Sequence, residues 1–331
     1  MTAEIIDGAR VAEELRADVE RRVTELGSGG VTPGLATVLV GEDYAAKAYE
    51  RRVCRVAGEI GCRYVSEQLA AEVEEADALA LVGKLNADPR ISGILILRPL
   101  PPQVSEEHLY RQLDPLKDVE AVHPENAGLL ALGEPRYTPS TPASVFYLLD
   151  RYVEESGRDP ATFYNGLDLV LVGRSNNVGK PALWLGLARG ATVVSCHHFT
   201  AQAGRLEEHT SRADILVVAA GVPRLVTGAM VKEGVIAVDV GINPVKDDET
   251  GKVRLVGDLD FESVAERAEA VTPVPGGVGP ITDVWLLRNA VEAARLQDRL
   301  PPPRRLVSEQ DPYFPAPSFR AGAEATRRRP G

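Results

Sequence analysis

Four short apolar runs, each closed by glycine, restrict this chain more than any other feature. Leu35–Val40 runs into Gly41, Leu167–Val172 into Gly173, Ile215–Ala219 into Ala220-Gly221, and Val235–Val240 into Gly241. Runs of five or six residues with almost no polar alternation suit strands buried on both faces, as in a parallel sheet covered by helices. Helical spacing separates them. Val11, Leu15, Val19, Val23 and Leu26 mark a helix over 9–27, ended by Gly27-Ser28-Gly29-Gly30. Further helices are expected at 45–60, 71–86, 104–112, 143–155 and 283–298, and further strands at 62–67, 92–97 and 191–196. This alternation predicts an α/β protein with parallel sheets. A length of 331 residues predicts two domains. We set their boundaries at 1–143 and 144–280, the second a Rossmann-type doubly wound sheet. The Pro- and Arg-rich segment 301–331 reads as a mostly disordered tail.

Composition excludes some functions. Hydrophobic content of 44% and charged content of 26% are those of a globular protein. A net charge of −11 argues against nucleic-acid and anionic-membrane binding. Cys54, Cys62 and Cys196 form no paired framework and no metal-ligand spacing, so no metal is expected and a reducing cytoplasm fits. No secretory signal or membrane-spanning run is visible.

Two loops carry candidate chemistry. Gly173-Arg174-Ser175-Asn176-Asn177-Val178-Gly179 joins a strand to a helix, the geometry that aims backbone N–H groups at a pyrophosphate. It is neither GxGxxG nor a Walker loop, since Pro181 stands where Ser or Thr would bind magnesium. The next strand ends Ser195-Cys196-His197-His198-Phe199 with no acid for a ribose 2′-hydroxyl. Arg174 therefore favours a 2′-phosphate and NADP, with NAD the alternative and an ordinary solvated turn the plain reading. The second loop, Thr272–Pro280, packs three prolines and three glycines into nine residues. It is expected to be neither helix nor central strand, and to bring backbone close to a flat ligand; a purely structural connection is its plain reading.

Together these stretches resemble the methylenetetrahydrofolate dehydrogenase/methenyltetrahydrofolate cyclohydrolase family. The likeness rests on Ile5-Ile6-Asp7-Gly8, Val40-Gly41, Ala45 with Tyr49, Gly93-Ile94-Leu95 with Pro99-Leu100-Pro101, Lys117-Asp118-Val119, His123-Pro124 with Asn126 and Gly128, and Gly173-Arg174-Ser175 with Val178-Gly179 and Pro181. It continues through Asp239-Val240-Gly241-Ile242-Asn243 and Thr272–Pro280, and covers about residues 4–298.

The resemblance implies a cytoplasmic homodimer with a folate-binding N-terminal domain, a Rossmann domain and a last helix, 281–300, returning to the first. It implies a tetrahydrofolate derivative at Tyr49, Ile96, Leu97, Arg98, Glu120, Pro273, Pro275, Gly276, Gly277, Val278, Gly279 and Pro280. It implies NADP at Gly173, Arg174, Ser175, Val178, Gly179, His198, Ala220, Gly221, Gly241 and Ile242. The chemical centre departs from the family. Val53 replaces the lysine of its Tyr-x-x-x-Lys, with Arg52 and Arg55 expected to project elsewhere. Leu97 replaces a glutamine, Glu120-Ala121 replaces Asp-Gly, Arg98 adds a cation facing either the cleft or solvent, and Asp283 is unexplained. Valine cannot move the protons that hydrolysis needs, so the expectation is a dehydrogenase with cyclohydrolase activity lost or weak. A paralogue with a different small substrate, and a non-catalytic folate- or nucleotide-binding protein, are the alternatives; the full bifunctional enzyme ranks behind the monofunctional one.

Overall fold

The computed structural model describes residues 3–246 and 252–298; the tail expected at 301–331 lies outside the described residues. In chain order the first half holds β1 (Glu4–Ile5), α1 (Gly8–Ser28), β2 (Gly34–Val40), α2 (Tyr44–Ile60), β3 (Arg63–Leu69), α3 (Glu75–Ala87), β4 (Gly93–Ile96), α4 (Glu106–Gln112), α5 (Pro124–Ala131) and α6 (Ser140–Glu155). The second half holds α7 (Pro160–Phe163), β5 (Asp168–Val172), α8 (Gly179–Ala188), β6 (Thr192–Cys196), α9 (His198–Gln202), α10 (Leu206–Thr210) and β7 (Ile215–Val218). It ends with β8 (Ile236–Asp239), β9 (Asn243–Lys246), β10 (Val253–Val256), α11 (Phe261–Ala265), β11 (Ala270–Val271) and α12 (Val278–Gln297).

The apolar runs become the strands they predict. A three-stranded parallel sheet has the order β3-β2-β4, and every residue of β2 is buried. A six-stranded parallel sheet has the order β1-β11-β8-β7-β5-β6. Order reverses beside β5, where doubly wound sheets bind ligands. The first strand of the chain thus belongs to the second sheet: Glu4 pairs with Ala270 and Ile5 with Val271. Two residues are too few for a periodic signal, so the sequence did not reveal it.

Helix α12 carries the opposite crossing. It packs on α1, α2, β2, β4 and α6, placing Trp285, Leu286, Leu287 and Ala290 in the core. Gly93 lies beneath this helix and admits Val119, since a Cβ there would stand 2.4 Å from the Val119 side chain. The helix starts at Val278, so the expectation that all of Thr272–Pro280 is non-helical is corrected. Pro280 lies in the first turn, where helical N–H groups have no intrahelical partner and proline loses little. Helix α3 begins at Glu75 rather than 71, with Glu75 and Asp77 in its first turn complementing the helix dipole. The antiparallel β9–β10 pair is an unforeseen addition, its strands only four residues long and β9 carrying Pro244.

A buried amide fastens α12 to the first unit. The Asn289 Nδ2 donates to the Val119 and Thr138 carbonyls, both at 2.8 Å. Asn289→Ala leaves both carbonyls unpaired in a closed interior, and is expected to cost about 2–4 kcal/mol, read as a lower urea midpoint with unchanged slope.

Candidate active site

The carboxyl ends of β4 and β8, the N-terminal parts of α1 and α2 and the loop before α12 enclose a cleft of about 810 Å³. From the first unit its wall takes Tyr49, Ile96, Leu97, Arg98 and Glu120. The loop contributes Pro273, Pro275, Gly276, Gly277, Val278, Gly279 and Pro280, all of them lining residues. Every residue expected at the folate therefore faces one cavity. Arg98 resolves toward the cleft, and Leu97 gives it an apolar wall while its N–H donates to Val38 at 2.9 Å.

The Glu120 carboxylate accepts the Ser140 N–H at 3.2 Å. Burial pushes this carboxyl up to about 7, and Asp118 adds to the rise; Ser140 and Arg98 oppose it. The backbone bends sharply beside it, with Ala121 at φ +50° where the family carries glycine. Asp118 itself is consumed by structure, accepting Val122 and His123 N–H groups and the Asn126 amide. Burial holds the Tyr49 hydroxyl well above its ordinary range, reinforced by Glu120 and Asp283, so Tyr49 stays a neutral donor.

Position 53 does not face this cleft. Val53 is 0% exposed in the core and is absent from the lining. The expectation that Arg52 and Arg55 project elsewhere is corrected: both line the cleft. The Arg52 Nε donates to the Asp283 Oδ2 at 3.0 Å, and the guanidinium lies 5.3 Å from the Tyr49 ring centre. Asp283, unexplained in the sequence, is the buried partner of that cation. Only the helix–helix contact of α2 with α12, 231 residues apart, brings them together, and no local pattern signals it.

Across the cleft stand Asn177, Val178, Val240, Gly241 and Ile242. Gly173, Arg174, Ser175, Gly179, His198, Ala220 and Gly221 lie outside its lining. The β5–α8 turn nonetheless has the form of a phosphate cradle. Gly173 has φ +125°, a Cβ there would sit 2.1 Å from the Ala219 carbonyl, and a Cβ on Gly179 would sit 2.1 Å from the Gly173 carbonyl. Helix α8 has no side-chain N-cap, leaving its positive end open to an anion. The Asn177 side-chain oxygen is buried without a hydrogen-bond partner among the described residues, an acceptor aimed at something the protein does not supply. These features fit a dinucleotide.

Two cofactor assignments change. Ala220 and Gly221 are not free donors, because both N–H groups go to the Asp258 Oδ2 at 2.6 and 2.8 Å. Arg174 meets the His197 Nε2 rather than His198, whose ring stacks on His197 and lies tilted against Phe199. The His197 Nδ1 accepts the Phe199 N–H at 3.3 Å, and the Arg174 guanidinium meets the same ring at Nε2. Burial and Arg174 both hold the His197 pKa down.

Glu120 gives the site a measurable pH signature. Its folded-state carboxyl keeps its proton up to about pH 7, whereas an ordinary glutamate loses it near 4.5. Between those values the folded protein binds more protons than the unfolded chain, so this group makes stability fall as pH rises. The stability of the wild type relative to Glu120→Gln is expected to decrease by about 1–3 kcal/mol from pH 5 to pH 8 in urea titrations.

Comparison with known proteins matches both halves. Residues 6–120 fit the tetrahydrofolate dehydrogenase/cyclohydrolase catalytic domain and residues 139–298 its NAD(P)-binding domain. The chain is 66% identical over 296 residues to bifunctional protein FolD 3 of Rubrobacter xylanophilus, covering 89% of this chain and 93% of that one. It is 45% identical over 294 residues to bifunctional protein FolD 2 of Geobacter sulfurreducens, covering 89% and 98%. Among solved structures, the bifunctional FolD enzyme of Campylobacter jejuni superposes with a TM-score of 0.81 at 37% identity, over 90% of this chain and all of that one. The Trypanosoma brucei dehydrogenase-cyclohydrolase, complexed with NADP and an inhibitor, gives 0.83 at 32% identity, over 90% and 99%. With both domain models matched in order and a relative identical at two residues in three, this chain belongs to the tetrahydrofolate dehydrogenase/cyclohydrolase family.

Proposed function

We propose that this protein oxidises 5,10-methylenetetrahydrofolate with NADP and hydrolyses the methenyl product to 10-formyltetrahydrofolate. The observation that carries the reading is the cleft itself, where Tyr49, Glu120 and the Pro273–Pro280 loop face Asn177, Val178, Gly241 and Ile242 across one cavity. A folate held by the first set lies against the mouth of the dinucleotide turn, and proximity of that kind is most of what hydride transfer needs. When bound, NADP supplies the hydride acceptor. The protein's part is to orient the ring between Tyr49 and the loop, to grip its polar edge through Glu120, and to keep water scarce along Ile96 and Leu97.

The retention of hydrolysis replaces the monofunctional expectation drawn from Val53. Relatives as close as 66% identity carry bifunctional names, and a missing lysine in an otherwise retained cleft is a weaker argument than that likeness. The homodimeric and cytoplasmic state implied by the resemblance belongs to the same proposal.

Preference for NADP over NAD rests on Arg174 and His197 converging beyond the cradle. Arg174→Ala is expected to weaken NADP by 10-fold or more and NAD by less than about threefold, since one charge-assisted contact contributes roughly 1.5–3 kcal/mol; equal losses in titrations with both cofactors defeat the assignment. Purified protein is expected to reduce NADP with methylenetetrahydrofolate and, separately, to hydrolyse methenyltetrahydrofolate above the uncatalysed rate. Oxidation alone restores the monofunctional reading. Silence in both assays moves the cleft to another substrate or to binding alone.

A further inference from the structure

Position 53 leaves the hydrolysis reaction without its lysine, yet the cleft still holds a cation at the same helical turn. Arg52 lines the cavity with its side chain 47% exposed, whereas Val53 is sealed in the core. Its Nε and Nη2 point to Asp283, at 3.0 and 3.5 Å, and Nη1 has no protein partner among the described residues. Asp283 has 9% of its side chain exposed. Burial raises its pKa and Arg52 opposes that rise, with Arg55 adding a smaller effect. A carboxylate buried this far is costly unless paired, and its side-chain bonds go to Arg52 alone among the described residues. The contact between the two side chains accounts for Asp283 and the inward turn of Arg52 together.

We propose that Arg52, steered by Asp283, is the cation of the hydrolysis centre and donates to the oxygen being added to the methenyl carbon. This rests on the bifunctional reading. A guanidinium cannot serve as a base, so its part is electrostatic. Water's oxygen bonds to the methenyl carbon, the amidinium π pair returns to nitrogen, and one proton leaves to solvent. The carbinol O–H proton then leaves as the carbon–N5 bond breaks, and N5 takes a proton from solvent, leaving the formyl group on N10. One water is consumed and one proton is released. The Arg52–Asp283 pair is neutral as a unit, so it does not repel the cationic substrate. Its free N–H donors gain strength in the second step, as the carbinol oxygen loses its proton and becomes negative, which is where preorganised donors accelerate a reaction.

The other ionisable groups of the cleft do not fill this place. Asp239 is engaged by the Gly241, Asp258 and Leu259 N–H groups. Glu13 and Arg16 pair with each other at 3.9 Å, and Arg16 with Glu59 at 2.7 Å. Arg55 approaches Glu59 at 3.9 Å. Arg98 lies toward Glu120 and Tyr110, and neither of these is among the groups that act on Arg52, which are Asp283 and Tyr49.

The test compares full-length wild type, Arg52→Met, Arg52→Lys and Asp283→Asn in both assays across pH. Thermal unfolding and NADP titration accompany each variant to confirm an intact protein. Arg52→Met is expected to lower the ratio of hydrolysis kcat to oxidation kcat by about 30-fold or more, the effect of losing a transition-state donor. The deficit falls on kcat more than on KM and is the same factor at every pH, because no titrating base is removed. Arg52→Lys recovers most of the ratio, and Asp283→Asn falls between. A ratio left within twofold by Arg52→Met, or a deficit confined to high pH, overturns the role alone. Wild type that oxidises but does not hydrolyse overturns the bifunctional reading and this role with it.

Discussion

The approach of two backbones holds the architecture together. Gly8 lies so close to the loop before α12 that a Cβ there would stand 1.8 Å from the Gly277 carbonyl oxygen, and its N–H donates to the Gly276 carbonyl at 3.0 Å. On one side of this contact Ile6 donates to Val271 and β1 joins β11 in the six-stranded sheet. On the other, α1 and α12 begin and run against each other over the three-stranded sheet. The loop that forms one wall of the cleft is therefore anchored to both units within a few residues. Asp7 caps α1 by accepting the Ala9 N–H, which fixes where that helix starts relative to the contact. Only glycine fits at the crossing, and so the sequence around it, Ile-Ile-Asp-Gly, reads as a motif though it touches no reacting atom.

Buried acids do the corresponding work at the carboxyl ends of the second sheet. The Asp239 carboxylate collects three backbone N–H groups and Asp258 collects two, with the Asn243 amide added at 2.8 Å. Burial raises the Asp239 pKa to about 6, which the three donors oppose without cancelling. Side chains at 241 and 257 would collide with these carboxylates, at 2.2 Å from Asp258 and 1.9 Å from Asp239. Glycine here makes room for acids that pin loops, and those loops set Gly241 and Ile242 at the cleft edge. Gly173 and Gly241, which end two of the apolar strands, thus serve packing first, and the shape of the cleft edge follows from it.

That ordering explains what was legible in the sequence. Apolar runs, glycine turns and helical spacing report local requirements, so β2, β5, β7, β8, α1, α2 and the dinucleotide turn were readable to within a few residues. The residues that the resemblance implies at the folate all line one cavity. What escaped reading depends on contacts between distant segments. Asp258 stands in an undistinguished stretch and matters because it reaches Ala220 and Gly221. His197 was passed over for His198 because two adjacent histidines look alike until the backbone directs one ring to Arg174. Arg52 was assigned away from the site by helical angle alone, but a long side chain is steered by its partner as much as by its Cα, and that partner sits on another helix.

The altered cleft also shows why its substitutions form a set. The family's lysine stands one helical turn from its tyrosine; here Tyr49 lines the cleft while Val53 is sealed in the core without a buried charge. Arginine at 52 lies about 100° farther round the helix and reaches the cavity through its longer stem. Without an anchor such a side chain would remain in water, spending rotamer entropy to no effect; Asp283 supplies the anchor from a position that would otherwise be apolar. Asp283 without Arg52 would be a buried carboxylate lacking its ion-pair partner, a change that destabilises by several kcal/mol where it has been measured in other proteins. Neither residue is favourable alone, so the pair makes sense only as one unit. Ala121 completes the picture, since a non-glycine residue held at φ +50° beside Glu120 keeps about 1 kcal/mol of backbone strain next to the raised carboxyl. Strain, an inward-turned cation and a raised acid occupy one wall of the cleft while the β5–α8 turn opposite keeps its family form, so the departures from the family pattern gather on one side of the cavity.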